Sequence, residues 1–236
     1  MKTPVFLFLF AFFCLSNIQA QKVYTSTQLK LIFSTAAQTQ RNEATIKSPM
    51  RFSGFFNYSI IANIDFNNRF GISIGGEIKN IGLILKDSIF RTKHRAYAIG
   101  IPVYLRLGNL DKRWYVYAGG QYDYLFGYKE KVFVNDSKIK RTNGFGNDVN
   151  PFIPSVFLGF KAKSGISLSL NYMLNNFFSS EYRFKDPTKN DTHLTSGYTN
   201  SQILYFSIGF MGDLDKSKTK TPTKTQTTEA SIRRNY

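Results

Sequence analysis

A chain of 236 residues with one cysteine, 23 Phe, 14 Tyr and a net charge of +16 has room for one all-β domain but no disulfide framework. Its surplus of Lys and Arg would suit nucleic acid or an anionic membrane surface. An export signal at the N-terminus argues against nucleic acid and leaves the membrane.

That signal is read from its parts. Met1 and Lys2 give a basic start, Val5 to Leu15 an apolar run, and small Ala20 stands before Gln21. This is the order of a secretory signal. The run is too short for a spanning helix, which needs roughly 20 residues. Cys14 follows bulky Phe12 and Phe13, where lipidation would call for small residues, so no lipid anchor is expected. Residues 1–20 are therefore predicted to be removed, leaving a chain without cysteine and without an apolar helical span.

From there the chain alternates apolar and polar residues, the period of a strand. Leu29, Leu31 and Phe33 alternate with Lys30 and Ser34. Phe56, Tyr58, Ile60, Ala62 and Ile64 alternate with Asn57, Ser59, Asn63 and Asp65. Phe70, Ile72, Ile74 and Ile78 alternate with Gly71, Ser73, Gly75 and Glu77, after which the phase is predicted to slip at a bulge or at the membrane edge. Tyr97 to Leu107 follows, carrying Gly100, Tyr104 and Arg106 on its polar face. Trp114 to Tyr124 carries Tyr115, Gln121 and Asp123 there. Val156, Leu158 and Phe160, then Ile166 to Leu174, then Leu204 to Phe210 complete eight strands.

The connections alternate in length. Asn67-Asn68, Asn109 to Lys112 and Lys163-Ser164 are short, the first expected to take positive φ at both positions. Residues 36–50, 86–95, 128–150 and 176–200 are long and polar. Tight turns on one side and long loops on the other describe an eight-stranded antiparallel up-and-down transmembrane β-barrel of a bacterial outer membrane, with both termini in the periplasm. Residues 21–212 form the predicted barrel. Residues 213–236, rich in Lys and Thr, read as a disordered basic periplasmic tail, either a solvated extension or an electrostatic tether.

Alternation alone also fits a soluble barrel with an apolar interior. The membrane reading rests on small residues along the polar face, such as Gly71, Ser73 and Gly159, as a narrow lumen requires. It also rests on aromatic side chains at both strand ends: Phe70 and Trp114 beside the short turns, and Tyr97, Tyr124 and Phe126 at the other end. Pro102 lies mid-strand, where it cannot donate to a ladder.

The stretch Tyr97-Ala98-Ile99-Gly100-Ile101-Pro102-Val103-Tyr104-Leu105-Arg106 resembles the strand written roughly Y-x-x-E-I-P-L-L-L-K in PorT-like outer-membrane barrels of Gram-negative bacteria. The closing Tyr205-Phe206-Ser207-Ile208-Gly209-Phe210 is similar to that family's last strand. The resemblance implies an outer-membrane barrel in which a mid-strand proline is usual. Gly100 departs from it, standing where the family usually has Glu, and the basic tail is unusual.

Chemistry on the polar face is limited to Asp65, Glu77, Lys79, Arg106 and Asp123. Mixed charge in an interior just wide enough for side chains predicts a structural, mutually paired plug. A pathway or catalytic cluster is the sharper alternative, because ionisable groups within a membrane span are functional by default. His94 and His193 are expected on outer loops as solvated residues, without a hydrolase or metal-ligand pattern around them. No enzyme, cofactor or metal site is expected. Basic residues gather in the second loop (Lys86, Arg91, Lys93, Arg95) and the third (Lys129, Lys131, Lys138, Lys140, Arg141). They either meet lipid phosphates, including those of lipopolysaccharide, or form a solvated surface. The function expected is a barrel without an open pore, structural, adhesive or partner-binding through its outer loops. A component of a transport or secretion assembly, contacting an envelope protein, is the alternative, and a loop-based enzyme is a third.

Overall fold

A computed structural model describes residues 22–41, 44–86, 91–134, 137–143, 147–185, 194–195 and 198–214. The predicted signal segment and most of the tail lie outside them. The alternating stretches form eight strands: β1 (Lys22–Ala36), β2 (Tyr58–Asp65), β3 (Phe70–Ile81), β4 (Arg91–Asn109), β5 (Trp114–Val134), β6 (Phe152–Lys161), β7 (Ile166–Met173) and β8 (Ile203–Asp213). Each pairs antiparallel with the next. β8 returns to β1, with Leu31 opposite Ile208. The ring of pairings closes, so each of the eight strands has a ladder on both sides. β8 runs through Asp213 because Ser26 donates to that carboxylate at 2.8 Å and Arg113 pairs with it at 3.1 Å.

Side-chain exposure separates the faces. Leu170 is 53% exposed and Ser169 only 7%, and the same contrast recurs around the ring. Ile99, Ile101, Val103, Leu105 and Leu107 all point outward from β4. That outward row is as long as the roughly 9–11 residues that a tilted strand needs to cross a bilayer. The apolar face is outside and the polar face inside, the arrangement of a membrane barrel.

The three short turns are held by local chemistry. Asn67 accepts from the amides of Arg69 and Phe70, each at 2.8 Å. Neither Asn67 nor Asn68 has a positive φ, so the expected mirror-image turn is replaced by a longer one that the Asn67 side chain closes. Asn109 caps Lys112 in the same way at 2.8 Å, and Gly165 takes φ 92° in the third turn.

Pro102 has a local cost only. The β3–β4 ladder pairs Ile74 with Val103 and Glu77 with Gly100 but is interrupted between them. Across β5, Pro102 still stands opposite Gln121. One missing N–H opens one seam of the ring and leaves the other intact.

Two expectations fail at the outer end, for one reason. Residues 86–95 and 128–150 were expected to be loops, yet β4 begins at Arg91 and β5 runs to Val134, joined on either side by Ile84–Lys86 and Ser137–Asn143. The strands continue past the bilayer, where water replaces lipid outside and the pattern inverts. On β4, Thr92, His94, Ala96 and Ala98 turn inward while Arg91, Lys93 and Arg95 turn outward. The apparent phase slip after Ile78 is the same inversion: Lys79 and Ile81 stay inward in unbroken register with β4.

Above the membrane the barrel is filled by an apolar core. Ile32, Ile81, Leu83, Leu85, Leu125, Ile153 and Met173 belong to it. So do Phe177, Phe178, Tyr182 and Tyr198, from the connection between β7 and β8. That segment folds back over the mouth: Asn150 donates to the carbonyls of Asn176 at 2.6 Å and Phe178 at 3.2 Å.

Candidate functional site

Three features could carry function: the charged lumen, the cap above it and the outer wall. In the lumen all five predicted charged residues are buried. Arg106 on β4 donates to Asp65 on β2 at 2.7 Å and to the Tyr24 hydroxyl on β1 at 2.9 Å. The Lys79 ammonium on β3 lies 2.7 Å from Asp123 Oδ2 on β5 and donates to the Tyr205 hydroxyl on β8 at 2.9 Å. The Lys79–Asp123 contact is a charge pair with both side chains fully buried. Glu77 is held by Lys30 of β1 at 2.9 Å.

Lys30 was visible only as a polar-face residue, because its partner is two strands away. Tyr104, Tyr115 and Tyr117 pack toward the short turns around Arg106, whose guanidinium lies over the Tyr115 ring at 5.4 Å. Each charge faces an opposite charge in a packed interior, so the arrangement fills space and fixes strands.

His94 reverses its expected position. It is fully buried beneath the cap, not solvated on a loop. One ring nitrogen contacts the Tyr128 hydroxyl at 2.7 Å and the other the Thr92 hydroxyl at 2.8 Å. Phe178 meets the ring edge-on at 4.8 Å between centroids, with Tyr182 and Tyr198 beyond it. Burial pushes its pKa down to about 3, so the imidazole is neutral at physiological pH. His193 and its neighbour Asp191 lie outside the described residues. The signal for the cap was present in sequence, as Phe177, Phe178, Tyr182, Phe184 and Tyr198 in a segment otherwise polar enough to be a loop.

The basic residues expected on loops sit instead on the extended wall. Lys93 stands directly opposite Lys131, and Arg95 opposite Lys129. Lys86 stands opposite Arg91, and Lys47 bridges to Lys86. Only the backbones of Lys138, Lys140 and Arg141 fall within the described structure, in register with Phe133, Lys131 and Glu130. Like charges directly opposed on one face destabilise a sheet. Burial and the neighbouring cations together lower the Lys93 pKa. Among the described residues, neither Lys86, Arg91, Lys93 nor Arg95 stands opposite a carboxylate in its ladder.

A closed ring, a lipid-facing apolar belt and a filled lumen agree with what sequence comparison finds. A family model described as an outer membrane protein beta-barrel domain matches residues 19–184. The chain belongs to that family. Its location is the bacterial outer membrane. Among curated protein sequences none matches it.

Three solved structures are similar to it in fold. OprG from Pseudomonas aeruginosa is 9% identical, covering 83% of this chain and 99% of its own, with a TM-score of 0.40. Neisserial surface protein A is 13% identical, covering 81% and 98%, with a TM-score of 0.38. Ail of Yersinia pestis, solved with the heparin analogue sucrose octasulfate, is 8% identical, covering 80% and 99%, with a TM-score of 0.32.

Proposed function

We propose that this outer-membrane barrel has no open pore, is not an enzyme, and binds an anionic partner through its outer basic wall. The observation that carries the reading is the pairing of Lys93 with Lys131 and Arg95 with Lys129 on the outward face. A sheet that sets cations against cations gains from a polyanion that lies across them, such as the phosphates of lipopolysaccharide. The interior supports the same reading, since ion pairs and an aromatic cap occupy the path that a solute would take.

Within the family we place the chain beside the PorT-like barrels. β4 keeps their mid-strand proline as Pro102. The acid that those barrels carry at the position of Gly100 is supplied here by Asp123, the direct cross-strand partner of Gly100. A Cβ at Gly100 would overlap the Asp123 carboxylate and the Gln121 amide, so the two acids are alternatives at one place.

Planar-bilayer recordings of the purified full chain should show no steady conductance. Reproducible channel steps would overturn the closed barrel. Detergent-solubilised protein should bind inorganic polyphosphate with an affinity that falls as salt rises. The double substitution K93Q/K131Q should weaken it about tenfold, whereas unchanged binding would remove the wall as the site.

A further inference from the structure

A second site lies lower, where the barrel wall parts. The β2–β3 ladder runs from Asp65 opposite Gly71 to Tyr58 opposite Ile78 and stops there. Beyond it the chain preceding β2, Arg51–Ser53, pairs only with β1. Two side chains bridge the seam to β3. Asn57 Oδ1 accepts from the Asn80 amide at 2.9 Å, and Arg51 donates to Asn80 Oδ1 at 2.6 Å.

Outside this seam is a cleft of about 280 Å³ lined by Arg51, Phe52, Phe55, Phe56, Asn80 and Arg95. Its chemistry is divided. Arg51 is only 1% exposed, its Nε has no hydrogen-bond partner, and its other donors reach only neutral Asn80. Among the described residues it has no carboxylate, and the neighbouring cations Arg95 and Lys93 both oppose its charge. A buried guanidinium beside a second one, with no anion between them, is costly as it stands.

The other wall is apolar and open. Phe52, Phe55 and Phe56 are 55%, 80% and 68% exposed. Phe56 adopts φ 62°, a conformation that a bulky residue rarely takes, within the bend between Arg51–Ser53 and β2. Its ring meets Tyr97 edge-on at 6.1 Å, and Tyr97 stacks on Phe126 at 6.3 Å. Those aromatic residues mark the outer edge of the lipid-facing belt. The cleft therefore opens sideways, at the depth of outer-leaflet head groups, with cations at its back and phenyl rings at its lip.

We propose that this seam cleft binds a phosphate-bearing lipid of the outer leaflet, its phosphate against Arg51 and Arg95 and its acyl chain along Phe52, Phe55 and Phe56. Guanidinium groups suit a phosphate because their planar donors match its oxygens. A soluble anion would satisfy the arginines but leave three phenyl rings in water, and a lipid satisfies both. The inference goes beyond the basic wall: the cleft shares Arg95 with it, but faces the bilayer and adds Arg51 and three phenyl rings.

The test uses the full chain refolded into phosphatidylcholine vesicles doped with lipid A, either bearing its phosphates or dephosphorylated. The protein is then extracted in mild detergent and its retained lipid read by native mass spectrometry. Wild type should retain phosphorylated lipid A at least tenfold over the dephosphorylated form. R95Q and F55S, on the half-buried and exposed sides of the cleft, should each lose that retention while keeping heat-modifiable gel mobility. K131Q, which removes a wall cation outside the cleft lining, should keep it, which separates this site from the wall. Equal retention by wild type and both cleft variants would overturn the proposal. Displacement of the lipid by millimolar inorganic phosphate would show an anion site indifferent to acyl chains and would also overturn it.

Discussion

Removing the Lys79 ammonium tests whether the lumen is held by paired charge. Lys79 is fully buried, 2.7 Å from Asp123 Oδ2, with Asp123 equally buried. At that separation and an effective dielectric of about 20, the Coulomb attraction is roughly 6 kcal/mol. Desolvating each ion costs several kcal/mol, so the pair as a whole contributes little net stability. Lys79→Met is different: it leaves the Asp123 carboxylate buried with Gln121 as its donor, at a cost of about 3–5 kcal/mol. Combining Lys79→Met with Asp123→Leu makes both positions apolar and should recover most of that loss. Guanidinium unfolding in lipid vesicles can follow Trp114, the one tryptophan of the chain and a lipid-facing residue. A loss below about 1 kcal/mol for Lys79→Met would refute the reasoning. So would a double variant as unstable as the sum of the two single ones.

Two further predictions concern the faces and the cap. Leu170→Arg should destabilise the barrel by about 2–4 kcal/mol, because position 170 meets lipid near the midplane. A spin label at position 169 that reported lipid contact would contradict the assigned phase. For His94 the sign follows from a folded pKa of about 3 against 6.5 for an unperturbed imidazole. Between those values the unfolded chain binds a proton that the folded chain does not, so stability is full above pH 6.5 and falls as the pH drops. At pH 5 the loss should be about 2 kcal/mol, and His94→Gln should remove that part of the pH dependence. Denaturant midpoints of the two proteins at pH 7 and pH 5 make the comparison, and parallel shifts would refute the assignment.

The eight strands were legible because lipid enforces one rule along their length, apolar outside and small or polar inside. Legibility ended where lipid ended. On β4 the residues Arg91 to Ala96 keep the same alternation, but the outward positions are cationic and the inward ones Thr, His and Ala. Read without the change of solvent, that stretch passes for a polar loop. The lumen residues Asp65, Glu77, Lys79, Arg106 and Asp123 could be assigned to one face from period two alone. Their pairings could not, because Lys30 with Glu77 and Arg106 with Asp65 join strands two apart, and their meeting depends on the stagger of the whole ring. The seam at Arg51 was hidden for a related reason, since it arises where the β2–β3 ladder stops and no local pattern marks that end.

Those pairings also account for charge in an interior that apolar side chains could fill. Lys30–Glu77 ties β1 to β3, Arg106–Asp65 ties β4 to β2, and Lys79–Asp123 ties β3 to β5. Backbone ladders join neighbouring strands only, and the period of two allows a ladder to slip by two residues without exchanging its faces. A slip of that size between β2 and β3 would shift Asp65 along the barrel relative to Arg106 and part each from its opposite charge. Apolar residues would register no such penalty. Around Lys79 and Asp123 the cap above and the tyrosines below keep water from rescuing a mispaired ion, so the penalty there stays high. The charges therefore contribute to the choice of one stagger over its near neighbours more than to the depth of the folded state. On that reasoning Lys79→Met with Asp123→Leu should fold to nearly native stability. Its disulfide cross-linking between cysteine pairs placed across β3 and β4 should show more than one register, where the wild-type lumen shows one.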